Sequence, residues 1–162
     1  MPSVTTSPDG QCPCAAATFA IDGPALFRVF CHCTICQAYN GAPYADVTAF
    51  RAADVHLHDE AASAFRAWKQ PPIVQRGTCV SCEAPTIERI DAPVLPGLTM
   101  VATANIVDKD EILSPSMHIY YGSRVADVDD DLPKHTGGLS SQMAYAGALV
   151  RGMLRTRRAA VR

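Results

Sequence analysis

The chain has 162 residues and a net charge of −2, which fits one domain with a single core and gives no basic footprint for nucleic acid. Hydrophobic residues make up 48% of it, but 25 of them are Ala. Large core formers are therefore modest in number, and thin strand-packed layers are expected rather than a wide helical core. No stretch approaches the roughly 18 apolar residues of a membrane span, and the first ten residues are polar, with no apolar run behind a basic start. A cytoplasmic, reducing location is the resulting expectation.

In chain order, residues 1–11 read as a flexible N-terminal tail. From Cys12 onward, short β-like segments alternate with turn residues. Thr18–Ile21 and Leu26–Phe30 flank Asp22-Gly23-Pro24, which reads as a hairpin turn. Residues 31–41 are too polar and Cys-rich for a core strand and read as a loop or a short helix. Further strands are expected over Ala45–Phe50, Val55–His58, Ala64–Trp68, Ile73–Thr78, Pro85–Ile90 and Thr99–Ile106. Pro and Gly fall between these runs more than inside them, which suits a mainly β architecture of short antiparallel strands.

The C-terminal segment, residues 136–162, differs in kind. Thr136-Gly137-Gly138 reads as a hinge, and Leu139, Met143, Ala146, Val150 and Met153 recur at helical spacing. Arg151, Arg155, Arg157 and Arg158 gather toward the end, where cations suit the helix dipole. This helical, basic extension packs either on its own chain or across a homodimer; contact with a membrane surface or nucleic acid is the sharper alternative.

Seven cysteines make an odd number that a closed disulfide framework would not use, and a reducing compartment disfavours disulfides. They fall in three clusters: Cys12-Pro13-Cys14, Cys31-His32-Cys33-Thr34-Ile35-Cys36, and Cys79-Val80-Ser81-Cys82. A structural Zn²⁺ takes four thiolates in a tetrahedron, and short gaps aim both sulfurs of a pair at one ion. Cys12, Cys14, Cys79 and Cys82 make such a set. Cys31, Cys33 and Cys36 then remain, and three protein ligands with an open position are the pattern of a catalytic zinc. His32 is a candidate fourth ligand, but its side chain sits between two ligating residues and would point away from the ion. The expectation is two zinc ions per chain, with His32 exposed.

The order CxC, CxCxxC, CxxC resembles the glutathione-dependent formaldehyde-activating enzyme family and its centromere-protein-V relatives. Leu113-Ser114-Pro115-Ser116-Met117-His118-Ile119-Tyr120 and Asp129-Asp130-Asp131-Leu132-Pro133 resemble that family too, so the likeness runs from about Gln11 to His135. It implies a zinc-binding β-tent fold over residues 12–135, with Cys12, Cys14, Cys79 and Cys82 at the structural zinc and Cys31, Cys33 and Cys36 at the catalytic one. The implied activity is that of a carbon–sulfur lyase of the S-(hydroxymethyl)glutathione synthase type, adding glutathione to formaldehyde or a related small aldehyde. Three positions depart from the family pattern. Ala15 and Glu83 stand where a knuckle glycine is usual, and Gln37 stands where a basic residue commonly follows the central triplet.

Within this reading, His118, Tyr120 and Asp130 are candidates to protonate the product oxygen, by chemical type alone. Arg28, Arg76 and Arg124 are candidates for the glutathione carboxylates. The competing readings are a non-catalytic zinc module that binds a partner protein, and a redox sensor built on Cys31, Cys33 and Cys36.

Overall fold

The computed structural model describes residues 9–110 and 112–161. Most of the expected tail lies outside these residues; Gly10–Gln11, at its end, form β1. The other strands are β2 (Thr18–Ile21), β3 (Phe27–Cys31), β4 (Ala45–Arg51), β5 (Val55–Leu57), β6 (Ser63–Ala67), β7 (Val74–Cys79), β8 (Pro85–Ile90), β9 (Leu98–Ala102) and β10 (His118–Ile119). Two α-helices complete the set: α1 (Thr34–Asn40) and α2 (Gly138–Ala160). The fold is mainly β with a C-terminal helix, as expected.

The strands form two sheets, ordered β1-β2-β5 and β10-β3-β4-β9-β8-β7-β6. All pairings are antiparallel except β10 with β3. Period-two alternation decides what each face of the large sheet carries. Val47, Ala49, Leu98 and Met100 join the core beneath α2, whereas Phe50 and Val101 join Phe19, Val55 and Leu57 between the two sheets. Thr48 and Thr99 are buried as well, so the central strands have no solvated face, which explains why β4 lacks a clear polar alternation.

The expected hairpin across Asp22-Gly23-Pro24 does not form. Ile21 pairs with Val55 in the small sheet, whereas Phe27 pairs with Ala49 in the large one. The Asp22 N–H donates to Asp54 O at 2.7 Å and the Leu26 N–H to Ala49 O at 2.7 Å. The turn residues thus carry the chain from one sheet to the other. A turn signal marks a change of direction, and the partner is chosen by whichever apolar face can be covered.

Helix α2 packs through a different face from the one its larger apolar residues mark. Ser141, Ala148, Leu149, Gly152 and Thr156 are buried, while Leu139, Met143 and Val150 are exposed. Gly152 explains the choice: a Cβ there would stand 2.3 Å from Leu26 O. Small residues let the helix lie directly on β3. Arg155 then donates to Leu26 O at 2.8 Å, Arg51 donates to Thr156 Oγ1 at 2.8 Å, and Tyr145 meets Phe27 edge-on with ring centroids 5.0 Å apart.

Candidate metal centres

The four-cysteine group is built from two knuckles of the same design. After Cys12 the chain turns so that the Ala15 N–H donates to Cys12 O, and after Cys79 the Glu83 N–H donates to Cys79 O, both at 2.9 Å. Ala15 and Glu83 each have φ of 60°, the left-handed region that glycine enters without a Cβ clash. Backbone N–H groups point at the sulfurs: Ala17 at Cys12 Sγ (3.3 Å) and Ser81 at Cys79 Sγ (3.4 Å). The four sulfurs lie within 4.8 Å of one another, with Cys12–Cys14 at 3.5 Å and Cys14–Cys79 at 3.8 Å. Four sulfurs about 2.3 Å from one ion stand about 3.8 Å apart, so this donor set fits a tetrahedral Zn²⁺.

Charge reinforces that fit. At Cys79 burial pushes the thiol up, but the N–H groups of Cys82 and Ser81 outweigh it and bring the pKa down to about 6. At Cys14 the Ala16 N–H favours the thiolate, yet the neighbouring sulfurs of Cys82 and Cys12 win and push it to about 12. Two sulfurs this close cannot both hold negative charge without a cation between them.

The three-cysteine group stands where β3 ends and α1 begins. Cys31 is the last residue of β3, and Cys33 caps α1 by accepting the Cys36 N–H at 3.3 Å. These three sulfurs also lie within 4.8 Å of one another, and Cys31 and Cys36 are buried in the core beneath α2. The adjacent Cys31 and Cys36 sulfurs and the Cys36 N–H hold the Cys33 thiol low, and the Arg76 charge adds to this. Cys31 is pushed to about 12, mainly by Cys33. The trio again suits a soft divalent cation that would offset crowded thiolate charge.

Strand alternation sends His32 to the other side. It is buried rather than exposed, and its Nε2 lies 2.8 Å from His118 Nδ1. His118 Nε2 in turn lies 2.8 Å from Asp130 Oδ2. With both rings neutral, Asp130 accepts from His118, His118 accepts from His32, and His32 Nδ1 is left as a bare acceptor. That atom has no partner among the described residues. Burial first, then the adjoining His118 ring and the Arg124 guanidinium, lower the His32 pKa to about 4, which keeps that ring neutral. Lys134 and His118 hold Asp130 down at about 2. The expectation that His32 is exposed is therefore overturned: rings of Tyr44, Tyr121 and His118 enclose it.

Of the candidates chosen by chemical type, Tyr120 alone packs against the core cluster that contains the trio. Burial raises its pKa, and Cys31, Cys33 and Cys36 add to the rise. It has φ of 52°, its N–H donates to Ser141 Oγ at 2.8 Å, and its phenol accepts from Gln142 of α2 at 2.5 Å. His118 and Asp130 belong to the relay behind it.

The three arginines separate clearly. Arg28 is held by both oxygens of Asp46, at 2.8 and 2.7 Å. Arg76 is buried against Glu88, Nε to Oε2 2.9 Å, and burial, opposed by Arg76 itself, raises Glu88 to about 7. Arg124 lies at the surface over the Tyr121 ring, paired with Asp127. Gln37 replaces the expected base with a clamp. Its Nε2 donates to His32 O (2.6 Å) and Ser123 O (2.8 Å), tying the cysteine loop to the turn that carries Arg124. Gln37 is marked in the sequence only as a departure from the family pattern, and Gln142 and Glu88 carry no signal in spacing or motif that could have marked them.

With this geometry in hand, comparison with known proteins is direct. The model of the family described as glutathione-dependent formaldehyde-activating enzyme matches residues 7–123. The chain belongs to that family. No curated protein matches it. Among solved structures, a crystal structure of a Rhodobacter sphaeroides protein, a Northeast Structural Genomics target, is similar with a TM-score of 0.50 at 17% identity. That match covers 65% of this chain and 95% of the other, and it bears on the fold alone. Among the described residues no helix is long and apolar enough to cross a membrane.

Proposed function

We propose that this chain adds a small thiol, glutathione by family, to formaldehyde or a related small aldehyde at Cys31, Cys33 and Cys36. The observation that carries this reading is the convergence of those three sulfurs within 4.8 Å in a member of this family; the Tyr120 phenol packs on the same core cluster and feels their charge. Cys12, Cys14, Cys79 and Cys82 would hold a structural zinc, giving two ions per chain. Zinc on the trio would supply a cation that acidifies an incoming thiol and polarises the aldehyde oxygen.

The chain's own residues do the rest. A new C–S bond forms as the carbonyl π pair moves onto oxygen; the thiol's proton leaves to solvent, and the oxygen takes one up. Tyr120 supplies the donor to that oxygen. Its raised pKa keeps the phenol protonated at neutral pH, and Gln142 fills an acceptor position on the hydroxyl, leaving its proton free to point outward. Arg124, held near the trio through Gln37 and Ser123, is the arginine able to swap Asp127 for a substrate carboxylate. Arg28 and Arg76 serve the fold. The chemistry belongs to residues 12–135, with residues 136–162 as a buttress that brings Gln142 to Tyr120. A cytoplasmic setting would keep all seven thiols reduced.

The test is NMR exchange spectroscopy of formaldehyde with glutathione, using protein that carries two zinc ions per chain by elemental analysis. Exchange faster than the spontaneous rate is expected, and Cys33→Ser should abolish the excess while the four-cysteine ion stays bound. Fully loaded protein that leaves the spontaneous rate unchanged would sink the activity.

A further inference from the structure

Helix α2 turns its larger apolar residues away from the body of the protein. Leu139, Met143, Val150 and Leu154 are 78%, 68%, 56% and 50% exposed, and Ala146 is exposed as well. Steps of four, three, four and four residues place all five on one side of the helix, opposite the buried Ala148 and Gly152. The stripe is about 22 Å long. The steps from Leu139 to Val150 alternate four and three, the spacing of a helix–helix seam, Leu154 extends the same side, and a contiguous apolar surface of this kind marks a contact site.

The charges indicate what covers it. Every charged residue of α2 is an arginine in its second half: Arg151, Arg155, Arg157 and Arg158. Two such helices side by side in parallel would bring arginine onto arginine. Antiparallel, the arginine end of each meets the uncharged first turns of the other. Beside those first turns lies the acidic segment 127–131, because Tyr121 and Gly122 donate to His135 O and Thr136 O, and the Val128 N–H donates to the Tyr121 hydroxyl. Asp129 and Asp131 are exposed, and among the described residues neither has an ion-pair partner.

We infer that α2 is a homodimer interface. Two copies pair antiparallel through the stripe Leu139, Met143, Ala146, Val150 and Leu154, with Arg157 and Arg158 of each copy against Asp129 and Asp131 of the other. The contact is isologous, so one patch serves both copies and the assembly closes at two. It lies outside the segment matched by the family and buries none of the cysteines.

Sedimentation velocity of the zinc-loaded full chain across micromolar concentrations tests this. A dimer is expected. Met143→Glu with Val150→Glu should weaken it by about tenfold or more, with circular dichroism and zinc content unchanged because both side chains are exposed. Arg157→Glu with Arg158→Glu should weaken it too, as should Asp129→Lys with Asp131→Lys. Mixing these last two proteins should restore dimers of mixed composition, a result that a parallel arrangement would not give. A wild-type chain that stays monomeric, or a dimer indifferent to the Glu pair at 143 and 150, overturns the proposal. So does a monomer that binds anionic vesicles or duplex DNA through the same helix.

Discussion

The two cysteine groups use the same atoms and are built on opposite plans. The four-cysteine group hangs from two matched turns, and its sulfurs are surrounded by backbone N–H groups and by one another. The three-cysteine group grows out of a strand end and a helix start inside the main core, with a buried ion pair, a half-buried phenol and a histidine relay around it. A closed donor set needs only turns of the right shape. A set of three inside the core is framed instead by side chains from several distant segments. In this protein those segments are β7 and β8 for Arg76 and Glu88, the 118–135 stretch for the relay, and α2 for Gln142.

The sharpest way to separate the two groups is to remove one sulfur from each. A structural zinc is worth on the order of 10 kcal/mol of folding free energy, comparable with the whole stability of a domain. Cys79→Ser is therefore expected to leave the chain largely unfolded by circular dichroism. Cys36→Ser should fold and retain one zinc ion per chain. Two folded variants with equal zinc content would erase the distinction.

The next largest effect lies beneath the trio. Arg76 and Glu88 are 7% and 6% exposed; burial already raises Glu88 to about 7 against the pull of Arg76, so removing Arg76 leaves a buried carboxyl that takes up a proton and lacks its partner, at a cost of about 1–3 kcal/mol. Arg76→Met should show that loss in urea unfolding. Adding Glu88→Leu should recover most of it. A single variant as stable as wild type would mean the pair contributes no more than its packing.

The relay should reveal itself in acid. Asp130 has its pKa lowered from 3.8 to about 2, so its contribution is present above pH 3.8 and is lost as pH falls toward 2. Thermal unfolding of the wild type should decline more steeply over that window than that of Asp130→Asn. Parallel curves would assign the acid loss to other carboxylates.

The smallest effect sharpens the knuckles. Ala15 and Glu83 both sit at φ of 60°, so Ala15→Gly and Glu83→Gly should each raise stability by about 0.5–1 kcal/mol, visible as a higher melting temperature at unchanged zinc content. No gain at either position would show that the turns carry no strain.

Much of this was legible in the chain. Thr18–Ile21 and Pro85–Ile90 are strands at the expected boundaries, the sulfurs group four and three, and Ala15 and Glu83 occupy the glycine-like turns. These readings rest on local spacing, which sequence displays directly. What failed depends on distant partners. Asp22-Gly23-Pro24 has turn chemistry, but Val55 and Ala49 decide that it links two sheets. The helix marked by Leu139, Met143 and Val150 does form; its spacing left open which side meets the body, a choice made at the carbonyl of Leu26, where Gly152 permits close approach. His32 is buried because His118, 86 residues away, meets its ring.

The knuckles also set a timetable for the nascent chain. Cys14 and Cys79 meet across 65 residues, and closing a loop of that length costs roughly 4 kcal/mol in chain entropy. At about 5–20 residues per second of synthesis, Cys12 and Cys14 wait roughly 3–13 seconds before the second knuckle emerges. During that interval they would offer an ion only two of its four sulfurs, a weak claw from which metal would exchange readily. The arrival of Cys79 and Cys82 turns the claw into a latch, fastening the start of the small sheet to the end of β7.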